Sequence, residues 1–318
     1  MRVLVTGGAG FVGANLCAVL IERGHEVAVL DDLSTGLIGQ LDGLDLEFHF
    51  GSVLSSDDLR RAGSGADAVV HLAGRPSVTR SIDDPRATHE ANATGTLCVL
   101  EYARKTGKYV VMASSSSVYG SNPAEVKSES MACSPISPYA VSKLAAESYA
   151  LAYGKSFGMP NLCLRFFNIY GPRQRSDHEH AALIPRLVNS ALTDAPVTVL
   201  GDGEQSRDFT YIDTVAEVLA QAVERRVVHD QPVNLGFGRT TTINQVVDCL
   251  REVLATDVEV VHGESRPGDV RMSAADSTVL RSLFPTVRPV SLREGIGRTV
   301  EWMSSVLADE RRAPEVAR

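Results

Sequence analysis

The chain lacks an excess of positive charge, a long apolar run and any cysteine pattern, and each absence excludes something. With 31 Lys and Arg against 39 Asp and Glu, its formal net charge is −8. That argues against a nucleic-acid partner held through a basic surface, though not against a local basic pocket for a phosphorylated small molecule. No apolar run approaches the roughly 20 residues that span a bilayer. The opening "MRVLVTGG" reads as a strand and turn rather than a charged leader with an apolar core, so no signal peptide and no membrane partner are expected. The five cysteines, Cys17, Cys98, Cys133, Cys163 and Cys249, are odd in number, scattered and without metal-ligand spacing. They read as reduced thiols of a cytoplasmic protein, and no metal site is expected. Internal repeats and low-complexity linkers are also missing.

What is there is 318 residues, 44% hydrophobic and 22% charged, enough for one large or two modest domains. Short apolar runs alternate with helix-period segments: "RVLVT" (2–6), then Phe11 to Arg23 as a helix, "EVAVLD" (26–31), "LEFHFG" (46–51), "AVVHLAG" (68–74), "YVVMASS" (109–115) and "NLCLRFF" (161–167). This alternation predicts an α/β fold: a Rossmann-type, doubly wound parallel sheet covered on both faces. After Asn168 the rhythm breaks into glycine, proline and charge. "PVNLGFG" (232–238) reads as a strand that rejoins the sheet, and residues from Thr240 onward form a smaller α/β lobe. The division expected is therefore 1–167 with 208–239 as the first domain, 168–207 with 240–310 as the second, and 311–318 as a loose tail.

"VTGGAGFVG" sets Gly7, Gly10 and Gly13 between a strand and a helix start. Glycines there let the backbone approach a pyrophosphate, and the helix N-terminus offers it free amides and a positive dipole end. Asp31 ends the second strand, where a carboxylate meets adenosine ribose hydroxyls and disfavours a 2′-phosphate. The expectation is NAD rather than NADP.

"MASSSSVYG" (112–120) ends a strand in four serines, facing the ligand crevice at the carboxyl end of a parallel sheet. Tyr139 follows Pro138 at a helix start, and Lys143 stands four residues later on the same face. An ammonium held nearby would favour the tyrosinate and fit Tyr139 as a general base near neutral pH.

With these residues in view the chain resembles the NAD-dependent nucleotide-sugar epimerase/dehydratase family of extended short-chain dehydrogenase/reductases, most of all its UDP-sugar 4-epimerases. The likeness rests on "TGGAGFVG", "LDDLSTG", "HLAG", "SVTRSIDDP", "SSSSVYG", "SPYAVSK", "RFFNIYGPRQ", "GDGEQSRDFTYIDTV" and "RPGDV" and covers nearly the whole chain. It implies Ser115, Tyr139 and Lys143 as catalytic residues, with Lys143 also on the nicotinamide ribose. It places Phe11, Val12, Asp32, Ser52, Val53, Leu72, Ala73 and Gly74, with Tyr139 and Lys143, beside the glycines and Asp31 around NAD. Around the nucleotide-diphosphate sugar it implies Asn168, Arg207 and Arg266 on the diphosphate and Asp269 on the nucleotide ribose. Leu183 and Leu200 would line the base pocket, with Ser77, Arg80, Ser81, Ser116 and Ser117 at the sugar. A homodimer through helices near Glu90–Arg104 and Tyr139–Tyr153 is a further implication.

Two departures stand out. Ser52 occupies the place where relatives carry an aspartate that accepts from the adenine amino group. Ser116 and Ser117 stand where 4,6-dehydratases carry Asp-Glu, and Ser117 where decarboxylases keep a glutamate. Without those acids, elimination or carboxylate loss is harder to explain than epimerisation at carbon 4. The alternatives are a 4,6- or 5,6-dehydratase, a reductase releasing NADH, or a non-catalytic dinucleotide sensor, which the Tyr–Lys pair argues against. Among sugars, glucose/galactose, their N-acetyl forms and the uronates stay open, as does uracil against thymine.

Overall fold

The computed structural model describes residues 1–176, 181–264 and 271–312. Arg266 and Asp269 therefore lie outside the described residues. Seven parallel strands form the main sheet: β1 (Arg2–Thr6), β2 (Glu26–Asp31), β3 (Glu47–Phe50), β4 (Ala68–His71), β5 (Tyr109–Ser115), β6 (Asn161–Phe166) and β7 (Val233–Leu235). Their spatial order is β7-β6-β5-β4-β1-β2-β3. The chain winds outward from β1 to β3, then returns to place β4 on the other side of β1. That reversal opens a crevice at the carboxyl ends of β1 and β4.

Alternation along β1 shows how the two faces are covered. Val3 and Val5 point to one side, where they pack with Leu16 and Leu20 of the helix Phe11–Glu22 and Val215 and Leu219 of the helix Ile212–Arg225. Leu4 points to the other, among Leu59, Val99, Leu100, Ala146 and Ala150 from three further helices. Because both faces are buried, the strands read as continuous apolar runs rather than as alternating ones.

The strand Val233–Leu235 does rejoin the sheet, pairing in parallel with β6. A smaller mixed sheet gathers segments far apart in sequence, in the order Thr240–Thr242, Ser206–Asp208, Met272–Ala275 and Val126–Lys127. No helix of the described residues is long and apolar enough to cross a membrane, and no metal-type cluster of His, Cys, Asp or Glu occurs among them.

Candidate active site

The reversal of strand order opens into a continuous cleft of about 800 Å³ that extends into the smaller lobe. Its floor at one end is the turn after β1. Gly7 has φ +74°, and a Cβ there would fall 2.6 Å from the Ala73 amide nitrogen after β4. A Cβ on Gly13 would fall 2.3 Å from the Gly7 carbonyl oxygen, so the helix could not pack this close to the turn. The cradle is shaped for something that must touch backbone, and the amides opening the helix Phe11–Glu22 are placed to receive an anion there.

Asp31 closes this end. One carboxylate oxygen accepts from the Ala9 amide at 2.9 Å and the other from the Leu33 amide at 2.8 Å. Burial pushes its carboxyl above the usual range, and those two amides pull the other way. Each oxygen keeps a lone pair for a ribose hydroxyl. Asp32 is exposed and accepts from the Ser34 amide. The Ser52 hydroxyl already accepts from the Leu54 amide at 3.2 Å, while Asp58 takes the Ser52 amide. An acidic side chain thus does stand behind Ser52, but one of its oxygens takes that amide and the other pairs with Arg61 at 2.7 Å. The cradle and Asp31 together fit a dinucleotide.

In the middle of the cleft, β5 ends at Ser115 and the helix Pro138–Phe157 begins. Ser137 caps that helix by accepting from the Ala140 amide, and Pro138 follows it in the first turn, where its missing N–H costs nothing. An alanine-rich run then brings Tyr139 and Lys143 one turn apart onto the face toward β5. The Lys143 ammonium donates to the Ala113 carbonyl at 3.0 Å, and burial lowers it to about 8. The Ser115 hydroxyl accepts from the Ser117 amide at 3.1 Å. Burial pushes the Tyr139 phenol up, opposed by its hydrogen bond with Ser115, and Lys143 does not bring it down in the chain alone. The ammonium is instead directed at a main-chain carbonyl.

The far end is built from the smaller lobe. Asn168 is held at φ +32° and donates to the Asp208 carbonyl at 3.2 Å, and Arg207 donates to the Ser206 carbonyl at 2.8 Å. Leu183 and Leu200 face the cleft beside them, and Arg80, Ser116 and Ser117 face it nearer the middle. Ser77 lines it too, but its hydroxyl caps the helix Val78–Asp83 by accepting from the Arg80 amide. Ser81 is a correction: it is fully buried, and its hydroxyl donates within that helix to the Val78 carbonyl at 2.5 Å.

Sequence reasoning missed Asn92. It lies in a π-helical turn, Glu90–Thr94, a distortion frequent near functional sites. Its amide oxygen accepts from the Arg75 amide at 2.7 Å, and its nitrogen donates to Arg75 O and to Ser142 Oγ. Ser142 in turn donates to the Tyr139 carbonyl at 2.7 Å. Asn92 thus ties the loop after β4 to the helix that carries Tyr139. Arg173 and Gln40, also missed, line the cleft near its glycine end. None of the three belongs to an apolar period or a glycine fingerprint.

Comparison with known proteins agrees with this geometry. Residues 3–236 match the NAD dependent epimerase/dehydratase family. The chain is 34% identical over 309 residues to a UDP-glucose 4-epimerase of Mycolicibacterium smegmatis, covering 95% of this chain and 98% of that one. It superposes with a TM-score of 0.90 on the crystal structure of a Thermotoga maritima UDP-glucose 4-epimerase with UDP-glucose, at 34% identity and covering 96% of this chain and 100% of that one. A structure described as an NAD dependent NDP-hexosamine 5,6-dehydratase involved in tunicamycin biosynthesis is also similar, with a TM-score of 0.85, 35% identity and 96% and 98% of the two chains covered. The chain belongs to the NAD-dependent epimerase/dehydratase family. It is an enzyme of that family, and its cofactor is NAD.

Proposed function

We propose that the chain is a UDP-sugar 4-epimerase. The observation that carries this reading is the distribution of acids. Among the described residues, the only carboxylates lining the cleft are Asp31 and Asp32, at the adenosine end, while the strand-end positions next to Ser115 are the hydroxyls of Ser116 and Ser117. Removing water from a sugar needs an acid to protonate the leaving hydroxyl, whereas inversion at carbon 4 needs only one base acting twice. The similarity to UDP-glucose 4-epimerases supports the same reading. The 5,6-dehydratase relative keeps dehydration as the second one.

In this reading Tyr139 takes the proton of the 4-hydroxyl, and Ser115 orients that hydroxyl. Lys143 holds the nicotinamide ribose. NAD, when bound, would supply the hydride acceptor and a positive charge that favours the tyrosinate. Residues 1–167 with 208–239 carry the cofactor, and 168–207 with 240–310 carry the nucleotide sugar. Asn168, Arg207 and Arg266 anchor the diphosphate, which would leave the 4-keto sugar free to turn over and present its opposite face. Asp269 takes the ribose, and Leu183 and Leu200 the base. Exposed Val141 and Tyr149 on the helix Pro138–Phe157 support a homodimer through that helix.

The test is turnover of UDP-glucose, UDP-N-acetylglucosamine and UDP-glucuronate in deuterated water. An epimerase returns the same hydrogen to carbon 4, so the product is a stereoisomer of unchanged mass with no carbon-bound deuterium. A product lighter by one water, or deuterium at carbon 5, selects the dehydratase.

A further inference from the structure

Bordering the cofactor end of the cleft are two segments that no motif assigns to the cofactor: the turn around Gln40, after β2, and the segment around Arg173, after the strand Ile169–Tyr170. They are 133 residues apart in sequence and grip each other in both directions. The Gln40 side-chain amide donates to the Arg173 carbonyl at 3.0 Å, and the Arg173 guanidinium donates to the Gln40 carbonyl. A third bond holds the pair over the dinucleotide helix: Asn15 Nδ2 donates to the Pro172 carbonyl at 3.1 Å. The Arg173 charge is felt in that same helix. Burial pushes the Cys17 thiol up to about 12, and Arg173 pulls it the other way. The guanidinium therefore acts on the helix whose N-terminus faces the pyrophosphate place.

This arrangement is unfavourable for the chain alone. Arg173 stands at φ +69°, a left-handed conformation that side chains resist. The Gln40 side-chain oxygen is buried with no hydrogen-bond partner. The other donors of the Arg173 fork have no partner among the described residues. An anion received by that fork would pair those donors, and planar forks match phosphate oxygens well.

The geometry points to a clasp: Gln40 and Arg173 close across the pyrophosphate of bound NAD, with the guanidinium paired to a phosphate oxygen. The clasp holds the cofactor through turnover. It also compensates at the adenine end, where Ser52 offers a hydroxyl already engaged by Leu54. An enzyme that must return its hydride gains from such a hold, because cofactor lost between two transfers ends the cycle.

The experiment compares wild type, Arg173→Ala and Gln40→Leu, each stripped of NAD. NAD and UDP are titrated separately, and the cofactor surviving gel filtration is measured by acid release. Arg173→Ala raises the NAD dissociation constant about tenfold or more, as loss of a charge-assisted bond does, and leaves UDP affinity within about twofold. Gln40→Leu keeps the guanidinium and its main-chain acceptor and gives a smaller rise, about threefold. It decides the matter alone if Arg173→Ala does not fold. Unchanged NAD affinity in the folded variants overturns the clasp. So does an equal or larger loss of UDP affinity, which would assign Arg173 to the nucleotide sugar. Neither result bears on whether the reaction is epimerisation.

Discussion

Behind Ser115 lies a buried ion pair, Glu147 of the helix Pro138–Phe157 with Arg165 of β6, and its disruption gives the sharpest stability prediction. The two side chains are 3% and 4% exposed. The carboxylate accepts from Arg165 Nε at 2.9 Å, from Arg165 Nη2 at 2.6 Å and from Ser114 Oγ at 2.7 Å. The guanidinium stacks 4.7 Å from the Tyr119 ring, and its Nη1 already lacks a hydrogen-bond partner. Glu147→Gln keeps the shape but has a single acceptor oxygen for three donors, and it leaves a buried cation uncompensated. The expected loss is about 3–5 kcal/mol, the range for breaking a buried pair from one side. The assay is urea unfolding of the cofactor-free protein, read as a lower midpoint at unchanged slope. Glu147→Leu with Arg165→Met removes both charges and should recover most of the loss, because desolvation of the pair offsets much of its attraction. A single-variant loss below about 1 kcal/mol would refute the reasoning. So would a double variant no more stable than Glu147→Gln.

Other predictions concern the catalytic centre. Tyr139→Phe should lower turnover by about two to four orders of magnitude, the usual worth of a general base, while NAD titration stays near wild type; near-normal turnover removes Tyr139 from the mechanism. Lys143, held at about 8 by burial against an ordinary 10.5, disfavours folding when charged. Below about 8 both states bind the proton and the cost, about 3 kcal/mol, is fully present. Between about 8 and 10.5 the unfolded chain binds the proton and the folded one does not, so stability rises with pH. The stability of wild type relative to Lys143→Met, followed by urea unfolding from pH 7 to pH 10, should climb by most of that amount; a flat difference contradicts it.

The main sheet was legible because its physics is local and repetitive. "RVLVT", "EVAVLD" and "YVVMASS" became strands at the bounds read from the sequence, since burial on both faces demands unbroken apolar runs. The glycine turn was legible for a steric reason that holds at Gly7 and Gly13 in any sequence context. Asn92, Gln40 and Arg173 were not, because a polar side chain that bonds main chain leaves no period to find. The Tyr139 phenol is not lowered in the chain alone for a different reason: proximity of a lysine in a helix does not decide where its ammonium points, and here it donates to the Ala113 carbonyl.

The smaller lobe was the least legible part, and Asp208 explains how it is nevertheless positioned. This carboxylate is fully buried, and burial pushes it above the usual range against the amides that bond it. It accepts from Gly238 N at 2.7 Å, Ala275 N at 3.1 Å and Phe237 N at 3.4 Å. Its own carbonyl accepts from Asn168. One acid therefore joins the loop after β7, the strand Met272–Ala275 and the residue two positions after β6. A side chain that gathers amides from segments 30 and 67 residues away writes no pattern near itself. Yet such a hub is what fixes the far end of the cleft to the sheet, because each amide left without it would be a buried donor with no acceptor. The fold of the cofactor end follows from repetition, and the placement of the substrate end follows from single buried polar groups.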